Sequence, residues 1–352
     1  MTDTAVGRAR TAPGGSHRPL TEAYDTALLD LDGVVYAGPH AVRHAVASLE
    51  AARGAGMRLA YVTNNASRPP RVVAGHLTEL GVPAEAADVI NSAQAAARLV
   101  AEKVPAGSKV LVVGGAGLEE ALTERGLVPV RSMADGPLAV VQGYDPSVGW
   151  QHLAEASYAV ASGLPWVASN TDLTVPTARG IAPGNGTLVA AVRTATGVDP
   201  EVAGKPLPPM HRETVIRTGA QRPLVVGDRL DTDIEGAYNG GVDSLLVFTG
   251  VTTPAQVLAA PVRHRPTYLA ADLRGLLVAQ PEVTALGEGR YRCGGYEAWA
   301  ADGWLLLSGG GEDPYDGLRA LCGAAWAAAD AAGQDAAGAV PDGSKALAEL
   351  GL

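Results

Sequence analysis

Short apolar runs and helical patterns of apolar positions alternate along most of the chain. Four runs are apolar on both faces, as buried parallel strands are, at residues 27–31, 58–63, 224–227 and 244–249. A helical pattern follows the second run at residues 70–80 and ends at Gly81. This alternation is typical of α/β proteins, so we predict a parallel sheet flanked by helices.

The middle of the chain has strand and helix patterns of its own. The strand candidates are "KVLVVGG", "LAVVQGY" and "PWVASN", and the helix candidates are "EEALTERG", "WQHLAEASYAVASG" and "TLVAAVRTATG". Apolar runs of the first kind resume only after this segment. We therefore predict a core made of residues 21–93 and 203–270, into which residues 94–202 are inserted as a second α/β domain.

The pattern changes again from residue 271 onward. Residues 291–300 and 303–308 predict a β-hairpin, and residues 314–331 predict an amphipathic helix. Together they predict a small α+β extension over residues 271–335. We expect residues 1–20 to be a disordered tail and residues 336–352, rich in Ala, Gly and Asp, to be an irregular one.

The composition narrows the classes of partner. With 37 acidic and 27 basic residues the net charge is −10, which argues against nucleic-acid binding through a basic face. No apolar stretch approaches the roughly 18 residues that span a bilayer, so we expect no membrane partner. The two cysteines, Cys293 and Cys322, form neither a disulfide framework nor a zinc motif, and we expect a reduced cytoplasmic protein.

Polar residues end or follow four of the apolar segments. These groups are "DLDG" at 30–33, "TNN" at 63–65, "GKP" at 204–206 and "GDRLDTD" at 227–233. Open α/β sheets bind ligands at the carboxyl ends of their strands. We therefore expect all four groups to face one crevice.

Asp30 and Asp32 place two like charges close together in sequence. In an extended chain alternate side chains share a face, so both carboxylates would point to one side while Leu31 points away. Asp228 supplies another carboxylate after the third apolar run. Three carboxylates in one crevice need a hard cation, and Mg2+ with its preference for oxygen ligands fits.

The remaining polar groups suit a phosphoryl group beside that cation. Thr63 offers a hydroxyl, the backbone around Asn64 leads into a helix where an anion is favoured, and Gly33 lets backbone amides approach closely. Lys205 adds a cation in a chain that has only four lysines. One aspartate can attack phosphorus while the other acts as general acid and base.

The order "DLDGVVY", "VTNNASR", "GKPLPPM" and "VGDRLDTDI" resembles the haloacid dehalogenase-like (HAD) phosphatases. It is most similar to subfamily IIA, in which a large C2-type α/β cap lies between the second and third motifs. The resemblance covers about residues 21–270. It implies a Rossmann-like parallel-sheet HAD core with an inserted α/β cap, to which this chain adds its small C-terminal α+β extension.

The resemblance also implies a role for each matched residue. It makes Asp30 the nucleophile and Asp32 the acid and base. The implied phosphate- and substrate-binding residues are Gly33, Thr63, Asn64, Asn65, Lys205, Asn170 and Asp172. The implied Mg2+ ligands are Asp30, the Asp32 carbonyl and Asp228, with Asp233 in support. Asp231 and Asp233 can also be ordinary acids of a first helical turn.

The cap of this subfamily supplies specificity, here through loops near Asn170, Asp172 and the "PGNG" turn at 183–186. Asn170 and Asp172 can equally brace their loop. Length and extension are similar to the actinobacterial glycerol 3-phosphate phosphatases, whose tail resembles part of an acetyltransferase fold. Glycerol 3-phosphate is therefore the favoured small phosphorylated metabolite, with phosphoglycolate, pyridoxal phosphate, p-nitrophenyl phosphate and sugar or nucleotide monophosphates as alternatives.

Other hypotheses of function come from different parts of the chain. A regulatory or binding protein could keep the phosphatase site as a relic, although no motif residue is missing. "VLVVGGAGLEE", from Val110, resembles a dinucleotide fingerprint, but Glu120 at its last glycine position would repel a pyrophosphate, which favours a simple strand–helix turn. A homodimer through the cap or the extension also stays open.

Overall fold

The computed structural model describes residues 10–177, 179–333 and 340–352. The chain divides into two compact units, of which one comprises Met1–Ala60 and Ala220–Leu352 and the other Tyr61–Gly219. Within the described ranges, no helix combines the length and the apolar character that crossing a membrane requires. The predicted domain boundaries divide the chain differently and remain a prediction.

The strands are numbered in chain order. They are β1 Thr26–Leu29, β2 Tyr36–Ala37, β3 His40–Ala41, β4 Arg58–Thr63, β5 Val89–Asn91, β6 Lys109–Val113, β7 Val128–Val130, β8 Ala139–Gln142, β9 Trp166–Ala168, β10 Thr174–Thr177, β11 Gly180–Pro183, β12 Glu201–Val202, β13 Pro223–Gly227, β14 Asp243–Val247, β15 Tyr268–Ala270, β16 Thr284–Gly287, β17 Arg290–Cys293, β18 Tyr296–Ala301 and β19 Trp304–Gly309.

The α-helices are numbered in the same way. They are α1 Leu20–Ala23, α2 Ala45–Gly54, α3 Pro70–Glu79, α4 Ser92–Ala101, α5 Ala116–Glu124, α6 Trp150–Ala161, α7 Asn185–Thr196, α8 Pro208–Thr218, α9 Glu235–Gly240, α10 Pro254–Leu258, α11 Pro314–Ala332 and α12 Ser344–Leu350.

The first unit contains a parallel sheet in which the strand order is β15-β14-β13-β1. β1 pairs with β13 from Thr26 opposite Pro223 to Leu29 opposite Val226, and all four β1 residues are buried. The predicted strands match β1, β4, β13 and β14 to within two residues at each end. Apolar residues on both strand faces thus form the central sheet, and the predicted α/β fold is confirmed.

The C-terminal part of the first unit is an antiparallel sheet in the order β16-β17-β18-β19. The predicted hairpin is present as β18 and β19, and the predicted helix is α11. The segment predicted as one strand at 291–300 is broken into β17 and β18, because Gly294 adopts a φ of +54° there. Such a φ places the chain in a turn rather than in a strand.

Helix α11 packs its apolar face on this sheet. The shared core contains Leu318, Cys322 and Trp326 from α11 with Ala298 and Leu305 from the sheet, and all are buried. Both cysteines of the chain lie in this core. Burial raises the pKa of the Cys293 thiol to about 12, with a further contribution from Asp316, and burial also raises the pKa of Cys322.

Both predicted tails differ from the structure where it describes them. The backbone N–H groups of Gly14 and Ser16 donate to the carbonyls of Thr267 and Gln280, at 2.8 and 2.9 Å. At the other end α12 forms and buries Ala346 and Leu347. Burial of these apolar side chains stabilises α12, although the segment around it is rich in Ala, Gly and Asp. Residues 1–9 and 336–339 of the predicted tails lie outside the described residues.

The second unit contains a parallel sheet in the order β12-β9-β8-β6-β7. Its core packs apolar residues of the strands against α6 and α7, including Leu111, Val140, Trp166, Ala159 and Val192. Residues 61–63 of β4 pair in parallel with β5, and β10 forms an antiparallel hairpin with β11. The predicted elements between 94 and 202 match β6, β8, β9, α5, α6 and α7, whereas α4, β7 and the hairpin were not predicted.

One buried carboxylate fixes helix α8 in the second unit. Glu213 has no exposed side-chain surface and accepts hydrogen bonds from Arg98, Arg125 and Arg217. Burial raises the pKa of Glu213, but the three guanidinium groups outweigh burial and leave the pKa below its usual range. The ion cluster therefore ties α8 to α4, which carries Arg98, and to the segment that follows α5.

We predict that Glu213→Gln destabilises the chain at neutral pH by about 3–5 kcal/mol, because it removes a fully buried carboxylate from three half-buried guanidinium groups. Since the folded pKa is depressed, this stability is present above the unfolded pKa of about 4.3 and is lost as pH falls through the folded pKa. Denaturant unfolding of both proteins at several pH values measures the difference.

Arg212→Gln is the matched control, since Arg212 lies on the same helix and forms an exposed pair with Glu102. It should change the free energy of unfolding by less than about 1 kcal/mol. A Glu213→Gln penalty that stays constant down to pH values below the folded pKa would contradict the electrostatic account.

Candidate active site

Three carboxylates meet in the first unit at the ends of adjacent parallel strands. Asp30 directly follows β1 and Asp228 directly follows β13, while Asp233 lies in the π-helical turn Leu230–Ile234. One carboxylate oxygen from each lies within 4.8 Å of the others. Asp228 and Asp233 are buried and Asp30 is half-buried. The sheet therefore concentrates negative charge at this edge.

Backbone groups and glycines fix the orientation of Asp228. The Val251 N–H donates to Asp228 Oδ2 at 2.7 Å. A Cβ added to Gly33 would lie 2.6 Å from Asp228 Oδ2, and one added to Gly250 would lie 1.9 Å from it. Gly33 also has a φ of +83°, which favours glycine. Both glycines are needed here because the carboxylate fills the space of a side chain.

The two acids of the π-helical turn differ in what they contact. Asp233 accepts from the Arg229 N–H at 3.2 Å, and a Cβ added to Gly227 would lie 2.2 Å from the Asp233 Cβ. Asp231 is exposed and pairs with the Arg229 side chain. Burial raises the pKa of Asp231, but Arg229 outweighs burial and lowers it. Asp233 thus joins the carboxylate group, whereas Asp231 makes a local surface ion pair.

The carboxylate of Asp32 is not a member of this group. Asp32 is exposed and follows the buried Leu31, and the chain has already left β1 at Leu29. The Val34 and Val35 N–H groups donate to the Leu31 carbonyl, so a turn follows the strand. Among the described residues, the carboxylates that meet are those of Asp30, Asp228 and Asp233.

The donor chemistry of the carboxylate group fits a hard divalent cation. All three residues offer oxygen ligands and their mutual distances allow one ion to contact all of them. Carboxylates at this separation repel each other without a cation between them. The arrangement is thus suited to Mg2+ or Ca2+ rather than to a metal that prefers nitrogen or sulfur.

The second unit assembles the other predicted site residues. Thr63 is the last residue of β4 and Asn64 and Asn65 follow it, and the Thr63 hydroxyl accepts from the Asn65 N–H at 3.1 Å. The Asn64 side chain contacts both Asp172 and the backbone of Lys205. The Lys205 ammonium group donates to the Val62 carbonyl at 3.1 Å. Three distant parts of the sequence therefore meet at the carboxyl end of β4.

Asn170 and the PGNG turn hold the loop that carries Asp172. Asn170 is buried, donates to the Asn64 carbonyl at 2.7 Å and accepts from the Asp172 N–H at 3.1 Å. A Cβ added to Gly186 would lie 2.2 Å from the Thr171 carbonyl oxygen. These contacts favour loop bracing for Asn170, which the sequence left undecided.

Sequence reasoning missed several residues that build these two groups. The Ser92 hydroxyl donates to the Asn64 carbonyl, and a Cβ added to Gly204 would lie 2.6 Å from Asn64 Oδ1. Gly250 and Val251 contact Asp228. "TG" after β14 repeats the pattern of a polar residue and a glycine at a strand end, which was a usable signal for Gly250.

The glycine-rich turn after β6 has a structural explanation. Gly117 donates its N–H to the Ser67 carbonyl, and a Cβ added to Gly117 would lie 2.3 Å from the Ala66 carbonyl oxygen. A Cβ added to Gly115 would lie 2.4 Å from an Asp145 carboxylate oxygen. Close packing of α5 against the segments around Ala66 and Asp145 thus accounts for these glycines, as the strand–helix interpretation of the sequence expects.

Known proteins share the motifs and the fold. Residues 27–128 match haloacid dehalogenase-like hydrolases, residues 202–276 match the HAD-hydrolase-like group, and residues 293–352 match a GCN5-related N-acetyltransferase-like domain. The chain is 50% identical over 260 residues to D-glycerol 3-phosphate phosphatase of Mycobacterium tuberculosis, covering 74% of this chain and 72% of that protein. The chain therefore belongs to the haloacid dehalogenase-like hydrolases.

Further relatives are phosphatases as well. Acid sugar phosphatase of Staphylococcus saprophyticus is 36% identical, over 72% of this chain and 97% of that protein. The crystal structure of glycerol phosphate phosphatase from M. tuberculosis with magnesium superposes with a TM-score of 0.81 at 43% identity, covering 88% of this chain and 93% of that one. These relatives confirm the predicted family, fold and class of enzyme, a phosphatase.

We predict that Asp228→Asn abolishes the rise in melting temperature that Mg2+ causes in the parent chain, because it removes one of three carboxylates around the ion. We expect the Mg2+ affinity to fall by at least ~100-fold, since even residues that only orient a ligand contribute about 10- to 100-fold. Thermal unfolding across a Mg2+ titration measures this.

Asp231→Asn is the matched control in the same segment, and it should keep the shift because Asp231 pairs with Arg229 outside the carboxylate group. An unchanged Mg2+ shift in Asp228→Asn, or an equal loss in both variants, would show that the ion binds elsewhere.

Proposed function

We propose that the chain is a Mg2+-dependent phosphomonoester hydrolase of small metabolites that acts through an aspartyl-phosphate on Asp30. The observation that carries this proposal is the convergence of Asp30, Asp228 and Asp233 at the ends of β1 and β13. Asp30 is the least buried of the three, as a nucleophile open to substrate should be. The regulatory alternative with a relic site finds no support in a carboxylate group that retains all its residues.

The roles follow from the chemistry of each side chain. Asp30 attacks phosphorus, and the bond to the leaving alcohol breaks as that to Asp30 forms. Asp32, which is exposed, gives its proton to the leaving alcohol and then takes one from the water that hydrolyses the intermediate. Asp30, the Asp32 carbonyl and Asp228, with Asp233 in support, would hold Mg2+, which would supply positive charge to offset the charge on the phosphoryl oxygens.

The second group of residues would bind the phosphoryl group. We assign the Thr63 hydroxyl, the backbone around Asn64 and Asn65, and the Lys205 ammonium group to phosphoryl oxygens, and Gly33 to close backbone approach. Support comes from the position of Thr63, Asn64 and Asn65 at the carboxyl end of β4 and of Lys205 in the loop before α8. Strand and helix ends of this kind are where anions bind in α/β sheets. Asn170 and Asp172 lie in the cap loop that would face the organic part of the substrate.

Glycerol 3-phosphate is the substrate that the relatives support best. The M. tuberculosis relative, 50% identical, is a D-glycerol 3-phosphate phosphatase. Acid sugar phosphatases at 36% identity support sugar phosphates as a second candidate. Location in the cytoplasm and a homodimer through the cap or the extension remain predictions from the sequence.

A substrate panel tests this assignment. Phosphate release is measured with and without Mg2+ on glycerol 3-phosphate, phosphoglycolate, pyridoxal phosphate, p-nitrophenyl phosphate, sugar phosphates and nucleotide monophosphates. We expect glycerol 3-phosphate to have the highest kcat/KM and all activity to require Mg2+. A sugar phosphate with a higher kcat/KM would support the second candidate, and inactivity on every ester would refute the proposal.

We predict that Asp30→Asn releases no phosphate from any ester, whereas Asp32→Asn lowers steady-state release by about 10²- to 10⁴-fold. The two differ most with p-nitrophenyl phosphate, because nitrophenolate leaves without a proton. Asp32→Asn should therefore give a burst of nitrophenolate equal to the enzyme concentration, followed by slow turnover. Stopped-flow absorbance measures the burst.

Asp231→Asn serves again as control and should behave like the parent chain. Turnover by Asp30→Asn, or a burst in that variant, would exclude Asp30 as the nucleophile. Steady turnover by Asp32→Asn without a burst would show that Asp32 does not act in the hydrolysis of the intermediate.

A further inference from the structure

The side chain of Asn64 makes three hydrogen bonds within the second unit. Its Nδ2 donates to the Lys205 carbonyl at 3.1 Å and to Asp172 Oδ1 at 3.2 Å. Its Oδ1 accepts from the Lys205 N–H at 2.8 Å. The amide of one side chain therefore pairs with both backbone groups of Lys205 and at the same time reaches the carboxylate of the cap loop.

These contacts use both hydrogens of the amide. An asparagine amide has two N–H donors, and here one points to a carbonyl and the other to a carboxylate. The reversed amide would place its oxygen against both acceptors, so the network fixes the orientation. Asn64 is also buried, with 9% of its surface exposed. Its side chain thus has no donor left for a phosphoryl oxygen.

The surroundings hold Asn64 from the backbone side as well. Its carbonyl accepts from the Ser92 hydroxyl and from Asn170 Nδ2. A Cβ added to Gly204 would lie 2.6 Å from Asn64 Oδ1 and 2.7 Å from the Ser169 carbonyl oxygen. Only glycine leaves room for the amide to pair with the Lys205 backbone. The position of this amide is therefore determined by packing on several sides.

We infer that Asn64 is a positioning residue, whose side chain fixes the position of the Lys205 loop relative to the Asp172 carboxylate. This inference rests on the proposed function, in which Lys205 binds the phosphoryl group and Asp172 faces the rest of the substrate. It assigns the Asn64 side chain a role other than the phosphoryl contact that the family resemblance implies. Phosphoryl contact at this position is left to the backbone.

The test is a double-mutant cycle with Asn64→Asp and Asp172→Asn. Asn64→Asp keeps the shape but replaces both donors by a carboxylate, which repels the Lys205 carbonyl and the Asp172 carboxylate. We expect kcat/KM on glycerol 3-phosphate to fall by about 100-fold, as when a buried hydrogen-bonded network is broken. Asp172→Asn alone keeps an acceptor for the Asn64 amide, so it should lower kcat/KM much less than Asn64→Asp does.

In the double variant the amide introduced at position 172 can donate to the carboxylate introduced at position 64. We therefore expect its kcat/KM to exceed the product of the two single effects by at least ~10-fold. If the Asn64 side chain instead bound phosphoryl oxygens, the double variant would show no such recovery of kcat/KM, because a carboxylate at position 64 would repel phosphate whatever stands at position 172. Effects that simply multiply would overturn the positioning role.

The same four proteins, unfolded in denaturant, test the contact without any substrate. Coupling between positions 64 and 172 in the free energy of unfolding supports the contact even if every ester fails as substrate, so the two proposals fail separately. If Asn64→Asp does not fold, Asn64→Ser takes its place in both cycles. Asn64→Ser should then have a smaller effect in the Asp172→Asn variant than in the parent chain. Equal effects of Asn64→Ser in the two proteins would refute the inference.

Discussion

The repulsion among Asp30, Asp228 and Asp233 is the constraint on which the functional part of the first unit depends. Their oxygens lie within 4.8 Å of one another, and two of the three residues are buried. Parallel pairing of β1 with β13 brings Asp30 and Asp228 together, and Gly33 and Gly250 leave room for the Asp228 carboxylate. Burying like charges at this distance is tolerable when a divalent cation completes the group. The same sheet edge therefore builds the fold and the site.

In the second unit the groups held at the end of β4 are neutral or cationic rather than acidic. Amides hold them, since Asn64 and Asn170 each use both ends of the side chain to connect separate loops. An amide can donate and accept at once without adding charge. Buried polar groups that are fully hydrogen-bonded make a rigid local structure. Helix α8, fixed by Glu213 and its three arginines, extends this order from the Lys205 loop.

The sequence was informative where chemistry follows directly from a strand end. Both faces of β1, β4, β13 and β14 are apolar, so their carboxyl ends and the polar residues there could be placed before the fold was known. The partners of Asn64 could not, because an amide suits a phosphoryl oxygen, a peptide and a carboxylate equally, and the choice depends on residues more than 100 positions away. The order at Gly14 and in α12 was missed for a related reason: their partners are distant in sequence, and their own composition indicates irregular chain.

The buried thiols of Cys293 and Cys322 have a practical consequence. Maleimides and similar reagents react with the thiolate, and burial with the raised pKa keeps both sulfurs protonated at neutral pH. The native cysteines of the unaltered chain should therefore react little with such reagents. A single cysteine introduced into the exposed hairpin of β10 and β11 would be the one reactive position for a fluorophore or spin label, so that changes at this hairpin could be followed during turnover without first removing native cysteines.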